Sequence, residues 1–305
     1  MAPVRVRDVV CGWYGPRVMP PCSACERPST KRHGRDDAGR QRFMCRPCRR
    51  TFTAHSTSAF SGYRWPPEVI LTAVRWYLAH PLSATSAMVF LAERGIDVSK
   101  RTVLRWVQTF GPRLAAEVRK HRRRPGRTWY VDEVFFFRDG GKEKRYLYRA
   151  IDEHDQVLDV LFRDHRDTAS AEAFFRRTLT TSGVTPTTVV SDYHPPYIQA
   201  VQAVFPEATH VRTGLHRARG ETTKCVERSH IPTRDRLRSS RGLKTLATGQ
   251  RFLEGFEAVQ ALGRGHIHLE RLVPAYRSLG ATPQDRARAV ATAITTLGSR
   301  LRRAA

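Results

Sequence analysis

The chain has 305 residues, with 53 Lys plus Arg against 28 Asp plus Glu, a formal net charge of +25. A hydrophobic content of 40% fits a folded protein of two or three domains, and the positive excess calls for a polyanionic partner, nucleic acid first. No long apolar run, signal-peptide pattern or prenylation motif is visible, so the membrane class is set aside and a soluble, cytoplasmic, nucleoid-associated protein is expected.

Four of the six cysteines fall in CSACERPSTKRHGRDDAGRQRFMCRPC, as Cys22, Cys25, Cys45 and Cys48. Each C-x2-C turn aims two thiolates at one tetrahedral ion, and two such turns complete a closed structural Zn2+ site. Two disulfides are the other reading, and an intracellular protein disfavours it. Cys11 and Cys225 stand apart and are expected as free thiols. Residues 1–60 are therefore read as a zinc ribbon, a small hairpin with too little core to fold without metal. Arg40, Arg42, Arg46, Arg49 and Arg50 surround the second knuckle, either as phosphate contacts or as a solvated face.

Residues 61–118 are read as three helices. Pro66 and Pro67 suit a helical first turn, after which Ile70, Ala73, Val74, Tyr77 and Leu78 recur at helical spacing. A second helix spans Ser83 to Arg94 and stops at Gly95. Ser99 is a good N-cap for a third, with Val103, Trp106, Val107 and Phe110 on one face and Lys100, Arg101, Arg105 and Gln108 opposite. Three helices ending in a basic one suggest a helix-turn-helix unit reading the major groove; a plain helical bundle is the alternative. RKHRRRPGR at 119–127 follows as a basic linker.

From Thr128 the pattern changes. WYVDEVFFFR, KRYLYRAID and VLDVLFR read as three antiparallel strands, the first turn carrying Asp139, Gly140 and Gly141. A helix follows with Ala171, Phe174, Phe175, Thr178 and Leu179 on one face, then a short strand from Thr187 to Ser191, then a helix from about Pro195. Three strands, a helix, a strand and a helix is the chain order of an RNase H-like α/β domain, a mixed sheet flanked by helices, placed at 128–265. In that layout Asp132, inside the first strand, and Asp192, at the end of the fourth, converge. Paired carboxylates hold Mg2+ or Mn2+ through oxygen, and two such ions support phosphoryl transfer. A satisfied polar Asp132 and a capping Asp192 are the plainer alternative. Glu227 is the third candidate, with 34 residues between it and Asp192. His230 and Arg234 follow at helical spacing as possible phosphate contacts. Glu221 competes from a loop-like stretch, and Glu133 is expected to point to the opposite face of the strand. Pro232 should kink or break the helix that carries Glu227.

These residues, with YVDEVFFF, KRYLYRAID, LDVLFRDHRDTASAEAFF, VVSDYHPPYIQAV, VERSHIPTRDRLRSSRGLKTL and FLEGFEAVQAL, resemble the DDE transposases of the insertion-sequence-six family over residues 128 to about 265. The resemblance implies a metal-dependent enzyme that binds element terminal inverted repeats in double-stranded DNA, frees a 3′-hydroxyl and joins it to target DNA. It also implies two Mg2+ or Mn2+ ions on Asp132, Asp192 and Glu227, a basic role for Arg234, and assembly as at least a homodimer. Lys224 stands where the family usually has Asn. A domesticated DNA-binding regulator without strand transfer and a generic RNase H-like nuclease are the competing readings. Residues 266–305 are read as a helical C-terminal extension.

Overall fold

The computed structural model describes residues 19–22, 24–25, 27–36, 41–53, 56, 58–138, 143–213, 223–238, 243–273 and 282–301. Cys11, Arg40, Glu221 and the expected turn at Asp139, Gly140 and Gly141 lie outside the described residues.

Strands β1 (Thr30–Arg35), β2 (Gln41–Cys45) and β3 (Thr51–Thr53) form an antiparallel sheet in that order. Its buried interior is Phe43, Phe52, Cys22 and Cys45. So small an apolar cluster needs a cross-link or a metal to hold it.

Helices α1 (Pro67–Ala79), α2 (Ala84–Ala92) and α3 (Lys100–Arg119) follow. Ser83 and Ser99 cap α2 and α3, accepting from the N–H groups of Ser86 and Thr102 at 2.9 and 3.1 Å. Val103, Trp106, Val107 and Phe110 are buried as their spacing predicts. Helix α3 runs on through Pro112 to Arg119, because Leu114, Ala115 and Val118 continue the buried stripe.

The second sheet is built on β4 (Thr128–Arg138), which pairs antiparallel with β5 (Glu143–Asp152); β5 in turn pairs antiparallel with β6 (Val157–Arg163). On the other side of β4 lie β7 (Thr188–Ser191) and β8 (Thr209–Arg212), both parallel, giving the order β6-β5-β4-β7-β8. This is the mixed sheet of an RNase H-like domain. The four-residue β8, with exposed ends, has no counterpart among the expected strands. Alternation along β4 separates two cores. Trp129 and Val131 face α4 (Thr168–Ser182) and α5 (Pro195–Val204), packing with Phe174, Phe175 and Tyr197. Val134 and, from β5 and β6, Leu147, Ile151 and Phe162 join the other core with α8 (Leu246–Arg264).

That second core does not stop at the expected domain boundaries. Buried side chains of α1, α3, α8 and α9 (Pro283–Arg300) form one cluster with the sheet. A Cβ added to Gly255 of α8 would lie 2.8 Å from the Cα of Gly111, so α3 and α8 cross backbone to backbone. The segment 119–127, expected as a linker, is stitched down. Arg122 donates to the Leu158 carbonyl at 2.9 Å, Arg123 N–H to the His266 carbonyl at 3.1 Å, and Gly126 N–H to Asp152 Oδ2 at 2.9 Å. The 266–305 extension is part of this shared core through α9. Among the described residues no helix is long and apolar enough to cross a membrane.

Candidate active site

Strand β7 ends at Ser191, while β4 continues far beyond its last β7 partner, the pair Tyr130–Val190. A notch opens where β7 stops. Asp192 sits in it, level with Asp132 in the parallel register. Its Oδ1 accepts from His194 N–H at 3.0 Å, a tight turn that holds the carboxylate in place. Asp132 and Asp192 are thus brought together as expected.

Glu133 joins them, which the alternation argument missed. Oxygens of Asp132, Glu133 and Asp192 all lie within 4.8 Å of one another. Glu133 does leave the strand toward the α4–α5 face, where the Tyr197 hydroxyl donates to its Oε2 at 2.5 Å. Beyond β7, among the described residues, no strand pairs with β4 on this side, so a long side chain from the far face still reaches the notch. Its other oxygen contacts Arg166 from the β6–α4 loop.

The third acid comes from a broken helix. Helices α6 (Lys224–Ser229) and α7 (Ile231–Arg238) are separated at His230, two residues before Pro232. Proline at 232 has no N–H to donate into the preceding turn, as its chemistry requires. Glu227, half-buried, is held by the Thr223 hydroxyl at 3.0 Å. It stands outside the 4.8 Å cluster, yet near enough for its charge to act on Asp132. Arg234 is exposed and lines, with Glu227, Lys224 and Arg228, a cleft of about 640 Å³.

His230 corrects another expectation. It is fully buried, not a surface contact for phosphate, and its Nε2 lies 3.4 Å from Asp132 Oδ2. The side of the helix that carries it packs on the sheet, against Asp132 of β4. Burial, with the nearby charges of Arg149 and Arg234, holds its imidazole well below the ordinary histidine range, hence neutral. Arg149, paired with Asp132 across the sheet, is also fully buried. Its guanidinium meets Glu257 of α8 at 2.5 and 3.3 Å and the Thr233 hydroxyl at 2.6 Å, so it is neutralised from behind.

Burial, then the Asp192 and Glu227 charges, push the Asp132 carboxyl up to about 7. Burial also raises Glu133 to about 7, against the opposing pull of Tyr197 and Arg166. Crowded, partly buried carboxylates with oxygen donors only are the environment that a hard divalent cation relieves.

The family profile described as a DDE domain matches residues 126–266. The transposase of insertion sequence-like element IS431mec from Staphylococcus aureus strain Mu50 is 32% identical over 195 residues, covering 64% of this chain and 84% of that protein. The chain belongs to the DDE transposases of the insertion-sequence-six family. It is a DDE-type polynucleotidyl transferase. The transposase of IS257 in transposon Tn4003, also from Staphylococcus aureus, is 31% identical over the same shares of the two chains. Among solved structures, the integrase catalytic core domain of HTLV-2 in complex with magnesium aligns at a TM-score of 0.33 and 14% identity, over 44% of this chain and 85% of that one.

Two further groups of candidate residues in the transposase lie away from the notch. The Sγ atoms of Cys22, Cys25, Cys45 and Cys48 all lie within 4.8 Å of one another, with Cys22–Cys48 at 3.5 Å and Cys25–Cys45 at 3.6 Å. These gaps are far longer than a disulfide bond and near the about 3.8 Å edge of a tetrahedron with 2.3 Å zinc–sulfur bonds. On α3, Lys100, Arg101 and Arg105 are exposed, but Gln108 is not on their face. It is half-buried and donates to the Thr248 carbonyl of α8 at 3.0 Å, a contact across 140 residues of sequence.

Proposed function

We propose that this transposase binds the terminal inverted repeats of its element, hydrolyses a phosphodiester at each end to free a 3′-hydroxyl, and joins that hydroxyl to target DNA. The observation that carries this reading is the notch past β7, where Asp132 and Asp192 meet beside the Glu227 helix. Asp132, Asp192 and Glu227 would hold two Mg2+ or Mn2+ ions, which would polarise the phosphodiester and make the oxygen of the attacking water or 3′-hydroxyl a stronger nucleophile. Other tasks fall to the chain itself. Neutral His230 closes the space behind Asp132 without adding a competing charge. Lys224, Arg228 and Arg234 rim the cleft beside Glu227, suited to DNA phosphates on their way to the notch.

A division of labour fits the remaining parts. Cys22, Cys25, Cys45 and Cys48 would hold one structural Zn2+, consistent with the spacing of their sulfurs. Helices α2 and α3 would act as a helix-turn-helix, with Lys100, Arg101 and Arg105 toward double-stranded DNA. Two element ends must be brought together for joining, which calls for at least a homodimer.

The test is a strand-transfer assay with purified protein, Mg2+ and labelled DNA from the flanks of its own gene. Joining by wild type and none by Asp132→Ala is expected. Joining by the variant would overturn the site assignment. Binding without joining by either protein, on confirmed ends, would replace the enzyme with a DNA-binding regulator.

A further inference from the structure

Glu133 presents a puzzle: a third carboxylate in a metal-binding notch, outside the acidic triad. Its two oxygens are already occupied. One accepts from the buried Tyr197 hydroxyl at 2.5 Å, and the other meets Arg166. The Glu133 side chain is only 4% exposed, whereas Arg166 is 37% exposed and stands at the mouth.

The segment carrying Arg166 is held on each side. Asp164 pairs with Arg145 at 3.4 Å, the His165 carbonyl accepts from the Tyr148 hydroxyl at 3.4 Å, and Asp167 caps α4 by accepting from Ser170 N–H at 2.8 Å. Among the described residues the Nε and Nη1 atoms of Arg166 have no partner, because both of its contacts use Nη2. Its approach to Asp192 Oδ2, at 3.6 Å, is longer than a hydrogen bond, so Asp192 stays available to a cation.

We propose that Arg166 is a phosphate-binding residue of the active site, held by Glu133 and Tyr197 so that its free N–H donors face the phosphodiester at the notch. The inference rests on the transposase reading above and deepens it. Glu133 and Tyr197 are positioning residues, and Glu133 is the seat of the guanidinium, not a metal ligand. Each free N–H is a charge-assisted donor for a non-bridging phosphate oxygen. Fixed by a loop and a buried carboxylate, it meets the charge of the transferred phosphate without first reorganising.

The experiment compares wild type with Arg166→Ala, Arg166→Lys, Glu133→Gln, Tyr197→Phe and Asp132→Asn. Single-turnover joining is measured in saturating Mn2+, and bound Mn2+ is counted by electron paramagnetic resonance. Arg166→Ala should join about 10²-fold more slowly, the cost of losing one preorganised donor group. Arg166→Lys should recover only part of that loss. Glu133→Gln and Tyr197→Phe should fall between wild type and Arg166→Ala. All four should bind as much Mn2+ as wild type, while Asp132→Asn should lose it. With a neutral methylphosphonate at the transferred position, both proteins should slow, but wild type more, so that the gap between wild type and Arg166→Ala closes. A wild-type rate in Arg166→Ala would overturn the inference, as would loss of Mn2+ from Glu133→Gln, which would make Glu133 a ligand. Failure of wild type to join DNA at all would overturn the functional reading and this inference with it, and it is told apart because no variant is involved.

Discussion

Replacing Asp132 by Asn should stabilise the protein in the absence of added divalent cations, by an amount that grows from about pH 4 to about pH 7 and then levels off. The carboxyl is raised from 3.8 to about 7, chiefly by burial and then by the charges of Asp192 and Glu227. The folded protein therefore keeps this proton up to about pH 7, whereas the unfolded chain loses it near pH 4. Between those values the folded state binds the extra proton, so stability falls as pH rises through the window. A shift of about 3 units corresponds to a penalty of at most about 4 kcal/mol once both states are ionised. In a chain of this length that is a melting-temperature gain on the order of 4–8 °C for Asp132→Asn at pH 8.5. At pH 5, about 1.2 units above the unfolded value of 3.8, the gain should shrink to about 1.6 kcal/mol, less than half of that at pH 8.5. Differential scanning calorimetry at both pH values, before and after Mg2+, provides the assay. Mg2+ should raise the melting temperature of wild type at pH 8.5 and leave Asp132→Asn unchanged. A variant that melts at or below wild type at pH 8.5, or gains equally at pH 5, would refute the electrostatic account of the notch.

Four further outcomes are expected. Glu257→Ala leaves the fully buried Arg149 charged and without its carboxylate, which should cost about 3–5 kcal/mol in urea unfolding. Gly255→Ala pushes a methyl into the Gly111 backbone of α3; overpacking of about 1–3 kcal/mol should outweigh the better helix propensity of alanine and lower the urea midpoint. Elemental analysis should find one zinc per chain, and its removal should speed amide exchange across residues 19–53 while the sheet around β4 stays protected. Alanine at Lys100, Arg101 and Arg105 together should flatten the salt dependence of DNA affinity, by about 0.9 in log–log slope for each phosphate that is no longer neutralised.

Asp132 and Asp192 were legible in the sequence because both signals are local: an acid in an aromatic strand, and an acid ending a short apolar run. The cysteine cluster was legible for the same reason, since C-x2-C carries its own geometry. What escaped depended on where elements end. Glu133 reaches the notch only because β7 stops two residues short of it in the register, and strand length is poorly marked by four residues. His230 was expected on an exposed face by helical spacing, but spacing does not say which part of a helix packs on the sheet, and His230 is buried against Asp132. Gln108 looked like part of a basic surface because its partner, Thr248, is distant in sequence. The boundaries drawn at 118, 127 and 265 followed changes in composition. Packing ignores them, since α3, α8 and α9 bury their apolar stripes on one another.

Because α3 and α8 cross with glycine against glycine, α3, the helix proposed above to meet DNA, and the strand bearing Asp132 belong to one stiff frame. A duplex gripped by α3 would present its scissile bond at a set arc length from the grip, as against a ruler. The distance from recognised bases to the cut is then a property of the protein, counted in base pairs. Inserting about five base pairs between them, half a helical turn, would carry the bond to the far side of the duplex.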